Sequence, residues 1–124
     1  MKWLGTWRNQ HGSTLRVTDE EGYEIRGSFR TALSDSSFFG QELPVLGVHS
    51  GDCLSFTFAG RTDHGDAICS FTGLLREGKL QTLWHLIADS RAGSGAGSPS
   101  ESLEKTRWPH AAQTNADTFE RSDR

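Results

Sequence analysis

Asn9 and Ser13 flank a single glycine turn in GTWRNQHGST, residues 5–14, and Trp7 shares their alternate positions. An amide and a hydroxyl at a hairpin end can donate and accept hydrogen bonds. Neither a Ser-His-Asp set nor a pair of carboxylates emerges from the strand alternation, so the chemistry on offer is recognition, not catalysis. If each strand keeps its register, Thr31, Cys69 and Asp117 join them on the inward faces. Trp7, Phe29, Phe58, Phe71, Trp84 and Leu86 lie beside them. A barrel filled for stability alone would carry Val, Leu, Ile and Phe there. Buried amides, hydroxyls and carboxylates without partners cost roughly 1–3 kcal/mol each unless a polar guest meets them. Aromatic walls with a few converging polar groups are the usual makeup of a small-molecule site. The competing reading for Asn9 and Ser13 is turn chemistry, since both types bond nearby backbone beside a glycine. For Trp7 and Trp84 it is ordinary core packing.

The elements that would position these residues follow from period-two alternation. Ser13, Leu15 and Val17 alternate with Thr14, Arg16 and Thr18, and after the DEEG turn Tyr23, Ile25, Gly27, Phe29 and Thr31 alternate with charged or polar neighbours. Both stretches read as half-buried strands. MKWLGTW runs directly into a first strand. SDSSFFG at 34–40 reads as an exposed loop, with strands expected near 41–48, 52–60, 66–75 and 79–88 and a last one at 113–121. In KLQTLWHLIA, at 79–88, Trp84 and Leu86 point one way and Leu83 and Ile87 the other. That predicts burial of both faces, as against a neighbouring subunit. Residues 89–107, rich in Gly, Ser and Ala, read as a flexible loop. Eight strands with mostly short connections predict an all-β fold, an eight-stranded antiparallel up-and-down barrel in one domain over 1–124. Closure removes exposed edges and leaves room for one small ligand.

Composition narrows the partners. The 124 residues carry a net charge of −3 with both signs interspersed, which gives no basic stripe for nucleic acid and no attraction to an anionic membrane. No apolar run approaches the roughly 18 residues of a membrane span, and no signal peptide is expected in this chain. Cys53 and Cys69 are too few for a disulfide scaffold and lack metal-ligand spacing. They read either as one bridge or as two buried thiols. Asp63, His64 and Asp66 in TDHGD read as a solvated turn in preference to a metal site, and His49, His85 and His110 have no partner visible in sequence.

Five fragments in order, GTWRNQHGST, GSFRTAL, FTG at 71–73, QTLWHL at 81–86 and ADTF at 116–119, resemble the avidin and streptavidin family of biotin-binding barrels. The resemblance spans nearly the whole chain outside 89–107. It implies a non-catalytic protein that needs no cofactor and takes biotin as its ligand. By position, Asn9 and Ser13 would donate to the ureido carbonyl at the closed end of the barrel, with Trp7 beside them. Thr31 and Asp117 would accept from the two ureido N–H groups. Phe71, Trp84 and Leu86 would wall the bicyclic ring with Phe29 and Phe58, and Cys69 would face its sulfur. Leu33, Ser34 and the 34–40 loop would cover the tail, and Trp108 is a candidate to reach into a neighbour's pocket. The resemblance further implies a secreted or periplasmic homo-oligomer, dimer or tetramer.

Departures from that pattern imply weaker affinity than the tightest relatives. Phe29 stands for a tyrosine, Ala67 for a serine that helps to hold the carboxylate, Gly60 for a tryptophan and His11 for an apolar residue. Outward Thr114 and Ala116 are smaller or more polar than strong family interfaces. These departures keep two alternatives open, a barrel for another small cyclic urea, lactam or lipid-like molecule, and an oligomerisation module with a vestigial pocket.

Overall fold

In the computed structural model, described over residues 2–36, 38–62, 65–92 and 103–122, the alternating stretches close into one antiparallel barrel. Its strands are β1 (Gly5–Asn9), β2 (Thr14–Glu21), β3 (Glu24–Arg30), β4 (Leu43–Ser50), β5 (Cys53–Thr62), β6 (Gly65–Arg76) and β7 (Lys79–Ala88). A short hairpin of β8 (Ser90–Ala92) and β9 (Leu103–Lys105) and a single helical turn, α1 (Trp108–Ala111), precede β10 (Ala112–Arg121). Every barrel strand pairs with its neighbour in sequence, and β10 closes the ring between β7 and β1. The expected eight-stranded barrel is therefore the observed fold.

Alternation sets the two faces. Leu15 and Val17 on β2, Leu54, Phe56 and Phe58 on β5, and Ala67, Cys69 and Phe71 on β6 are all buried. Inside, Phe29 stacks on Phe58 at 4.6 Å and Phe56 on Phe71 at 4.7 Å, with Phe119 edge-on to Phe56 and Phe71. Such ring pairs add roughly 0.5–1.5 kcal/mol each beyond their burial. Between β2 and β3 the register slips after Val17, leaving Thr18 as the extra residue of a bulge. The backbones close up there. A Cβ on Gly27 would lie 1.8 Å from the Arg16 carbonyl oxygen, so the position accepts only glycine.

Several expectations are corrected. Tyr23, expected to share the inward face of Ile25, falls in the turn before β3 and is 73% exposed. The fourth strand is Leu43–Ser50, two residues later than expected, because Phe38 and its neighbours form turns. Part of the 89–107 segment is ordered, with Ser90 paired to Lys105 and Arg91 to Glu104; residues 93–102 lie outside the described ones, as do Asp63 and His64. Cys53 is exposed and Cys69 buried, and both are free thiols, so neither the bridge nor the reading of two buried thiols holds. On β7, Leu83 is 63% exposed in the single chain and Ile87 is exposed as well.

The chain also differs at its start. Among the described residues no strand precedes Gly5; Lys2–Leu4 instead cross the end of the barrel where the β2–β3, β4–β5 and β6–β7 turns lie. Glu20 Oε1 accepts from the Trp3 and Leu4 backbone N–H groups at 2.9 and 3.2 Å. Lys2 pairs with Asp52 and donates to the Gly51 carbonyl, while the Arg121 guanidinium donates to the Lys2 and Leu4 carbonyls. Trp3 is thereby driven fully into the core, 5.9 Å from the Trp7 ring.

Candidate functional site

The opposite end carries the β1–β2 turn, the 31–42 connection and the segment from β8 to α1. From there a cavity of about 550 Å³ runs into the barrel, a size ordinary for small-molecule sites. Its inner walls are aromatic: Phe29, Phe58, Phe71 and Trp84, with Leu86 and Cys69 beside them. Trp84 and Leu86 are only partly buried because they face this space.

Four polar side chains meet those walls, and the turn between β1 and β2 explains how. Gly12 takes φ +87°, a left-handed conformation suited to glycine, and the Gly12 N–H donates to the Asn9 carbonyl. Asn9 Oδ1 then accepts from the backbone N–H groups of His11 and Ser13 at 3.0 and 2.9 Å. That turn chemistry is real, and it also fixes the flip of the amide, because the oxygen is occupied and Nδ2 must face inward. Nδ2 donates to Asp117 Oδ2 at 3.2 Å across the ring closure between β1 and β10. Gln10 Nε2 donates to the other Asp117 oxygen at 3.0 Å.

Ser13 and Thr31 form the second half. The Ser13 hydroxyl oxygen accepts from the Ala32 N–H at 2.9 Å and lies 3.4 Å from the Thr31 hydroxyl, which accepts from the Leu33 N–H at 3.2 Å. The expectation that these groups stay wanting until a guest arrives is thus corrected. They form a frame that orients itself. The frame still leaves capacity: the second Nδ2 hydrogen of Asn9, at least one hydroxyl proton from Ser13 and Thr31, and unused lone pairs on Asp117. A planar molecule with one carbonyl between two N–H groups would match that set.

Cys69 sits 7% exposed on the same wall. Burial, and secondarily the charge of Asp117, push its thiol up to about 12, so it is a neutral, weakly polar surface and not a nucleophile.

Two expected residues stand elsewhere. Trp7 points inward but does not line the cavity; its Nε1 donates to the Trp3 carbonyl at 3.0 Å and Arg121 lies 4.4 Å over its ring. Trp7 therefore belongs to the far end of the barrel. Ser34 does not line the cavity, whereas Leu33 and the following Asp35, Ser36 and Phe38 do. Trp108, expected to reach a neighbour's pocket and not its own, stands in α1, 73% exposed in the single chain and outside this lining.

Other residues were not singled out from sequence. Phe38 is buried edge-on to Phe58, and a Cβ on Gly60 would meet its ring at 3.2 Å, so Phe38 fills the space over the glycine. Only the apolar pair in SDSSFFG hinted at it. Ser90, Thr106 and His110 line the outer part of the cavity, brought there by β8, the residue after β9 and α1, which carry no alternation signal, and Gln113 joins them from the start of β10. His49, without a visible partner in sequence, faces Glu20 at 3.8 Å at the far end, and Asp66 pairs with Arg61.

A closed barrel with a self-oriented polar cluster in an aromatic cavity defines a ligand-binding barrel. The sequence matches the Avidin family over residues 1–122, and the chain belongs to that family. Similar solved structures include the bradavidin2–biotin complex, with TM-score 0.72 and 17% identity over 98% of this chain and 99% of that one. The rhizavidin–biotin complex gives 0.72 and 18% over 96% and 91%. Shwanavidin without ligand gives 0.71 and 24% over 98% and 97%. Comparison with curated proteins finds no significant match. No helix among the described residues is long and apolar enough to cross a membrane.

Proposed function

We propose that this chain binds biotin reversibly and without chemistry, in the cavity described above. One observation carries the reading. Asn9 from β1, Ser13 from the β1–β2 turn, Thr31 from the connection after β3 and Asp117 from β10 converge on one aromatic cavity with spare donors and acceptors complementary to a urea. In this reading Asn9 and Ser13 donate to the ureido oxygen, Thr31 and Asp117 accept from the ring N–H groups, and Phe29, Phe58, Phe71, Trp84 and Leu86 enclose the bicycle. Cys69 faces the ring sulfur and Leu33 the tail. Family membership and neighbours solved with biotin support it. A frame already held in place has little ordering left to undergo, which favours affinity. Phe29 offers no hydroxyl, and the missing bond lowers affinity by roughly 1–3 kcal/mol against a relative with a tyrosine there.

Calorimetry with biotin tests the reading. Asn9→Ala and Ser13→Ala should each weaken binding by roughly 1–3 kcal/mol, about five- to 150-fold. Tight binding untouched by either change would place the ligand elsewhere. We further propose self-association through the outer face of β6 and β7, where Ile68 stands opposite Ile87 and both are exposed beside Leu83. A mass in solution above one chain is the expected result, reduced by Leu83→Asp.

A further inference from the structure

The cavity is longer than the polar cluster and aromatic walls need. Its lining extends from Asp117, opposite Thr82, to Ala88, roughly 20 Å along β7 at about 3.3 Å per residue. Beyond the aromatic walls come Ser90 and Thr106, with Gln113 at the edge of the wall opposite Leu86, and all three are neutral hydrogen-bonding groups. Thr106 Oγ1 donates to the Ala88 carbonyl at 2.7 Å, which fixes that hydroxyl with its lone pairs available.

Charge in the cavity is one-sided. Its described lining holds two carboxylates, Asp35 and Asp117, and no lysine or arginine; His110 is the one side chain there able to become cationic. Asp117 is engaged by two neutral amides, Asn9 and Gln10, and its nearest imidazole, His11, is 4.0 Å away. Asp35 stands exposed at the outer end, in the 31–42 connection. A ligand tail ending in a carboxylate would enter this space against like charge, with no lysine or arginine in the described lining to pair with, and partial desolvation makes that unfavourable. A tail ending in an amide brings one acceptor and one donor, which Gln113, Ser90 and Thr106 can match without charge.

We infer that Asp35 makes this site selective for biotin carried as a neutral amide, as on the side chain of a biotinylated lysine, over biotin as the free acid. The inference rests on the biotin reading and deepens it. Free biotin and its primary amide differ in tail charge and in one N–H donor, so both are titrated by calorimetry at low salt into the native chain and into Asp35→Asn, which changes only the charge they meet. The amide should bind about tenfold more tightly, the size expected of one like charge about 10 Å away at an effective dielectric constant near 20. In Asp35→Asn the ratio of the two affinities should fall toward one, as it should in high salt, which screens exposed charge. Acid binding as tightly as amide, or a ratio unmoved by Asp35→Asn and by salt, overturns the inference and leaves biotin binding intact. Absence of binding by both ligands instead removes the biotin reading itself.

Discussion

The two ends of this barrel are built from the same strands and solve opposite problems. At one end Trp3 and Trp7 fill the interior, and the strap from Lys2 to Leu4 is clamped over them by Glu20, Arg121 and Asp52. Nothing is left for a guest. At the other end Phe29, Phe58, Phe71 and Trp84 form walls without a plug, and the polar cluster of Asn9, Ser13, Thr31 and Asp117 is held by mutual bonds that consume only part of its capacity. Burial at the first end provides stability; incomplete filling at the second leaves aromatic surface for a ligand to cover. On the proposed reading, one barrel thus separates what holds it together from what binds.

That separation is open to direct attack. Trp3→Ala should cost the most, roughly 3–5 kcal/mol of stability in urea unfolding, because it empties a fully buried site that the strap cannot refill. Biotin affinity of the folded fraction should stay unchanged by calorimetry; a parallel loss would show that the ends are coupled.

Cys69 tests the cavity end without a ligand. Its thiol keeps its proton to about 12 in the fold, whereas an unfolded thiol loses it near 9.0. Over that window the unfolded state binds fewer protons, so stability falls as pH rises, by roughly 1 kcal/mol per pH unit from this residue. Cys69→Ala should flatten that slope in urea unfolding compared across alkaline pH.

The smallest effect belongs to the clamp. The Lys2 ammonium, by hydrogen bond and charge, holds the exposed Asp52 carboxyl below its ordinary value, with Arg76 adding to it. A lowered folded value stabilises above the unfolded carboxyl pKa and fades as pH falls through the folded one. Lys2→Ala should therefore lower the thermal midpoint slightly at neutral pH and not at all in acid, as followed by circular dichroism.

The residues best read in sequence are those whose position rests on alternation alone. Phe29, Phe58, Phe71 and Trp84 all face the interior because a strand has only two sides. Asn9 and Ser13 were legible as a pair, and the bond from His11 to Asn9 is local to their turn, yet the bonds to Ala32 and Asp117 depend on how β1, the end of β3 and β10 are brought together. Trp7 had the correct face and the wrong depth. A period of two states which side a residue points to, and not how far along the barrel axis it lies, so Trp7 reads like a ligand contact until the strap brings Trp3 beneath it.

Phe38, Thr106 and His110 show the complementary failure, since they lie in turns or short segments where no repeat links sequence to direction. The sequence by itself determined the eight-stranded barrel, its inward aromatic face and its family, because each follows from local alternation or from ordered fragments. Tertiary structure alone decided which end is sealed, which outer groups line the cavity and how much of the polar frame remains available. Those depend on contacts between residues far apart in the chain, such as Asn9 and Asp117 at a separation of 108 positions, that only closure of the ring brings within reach.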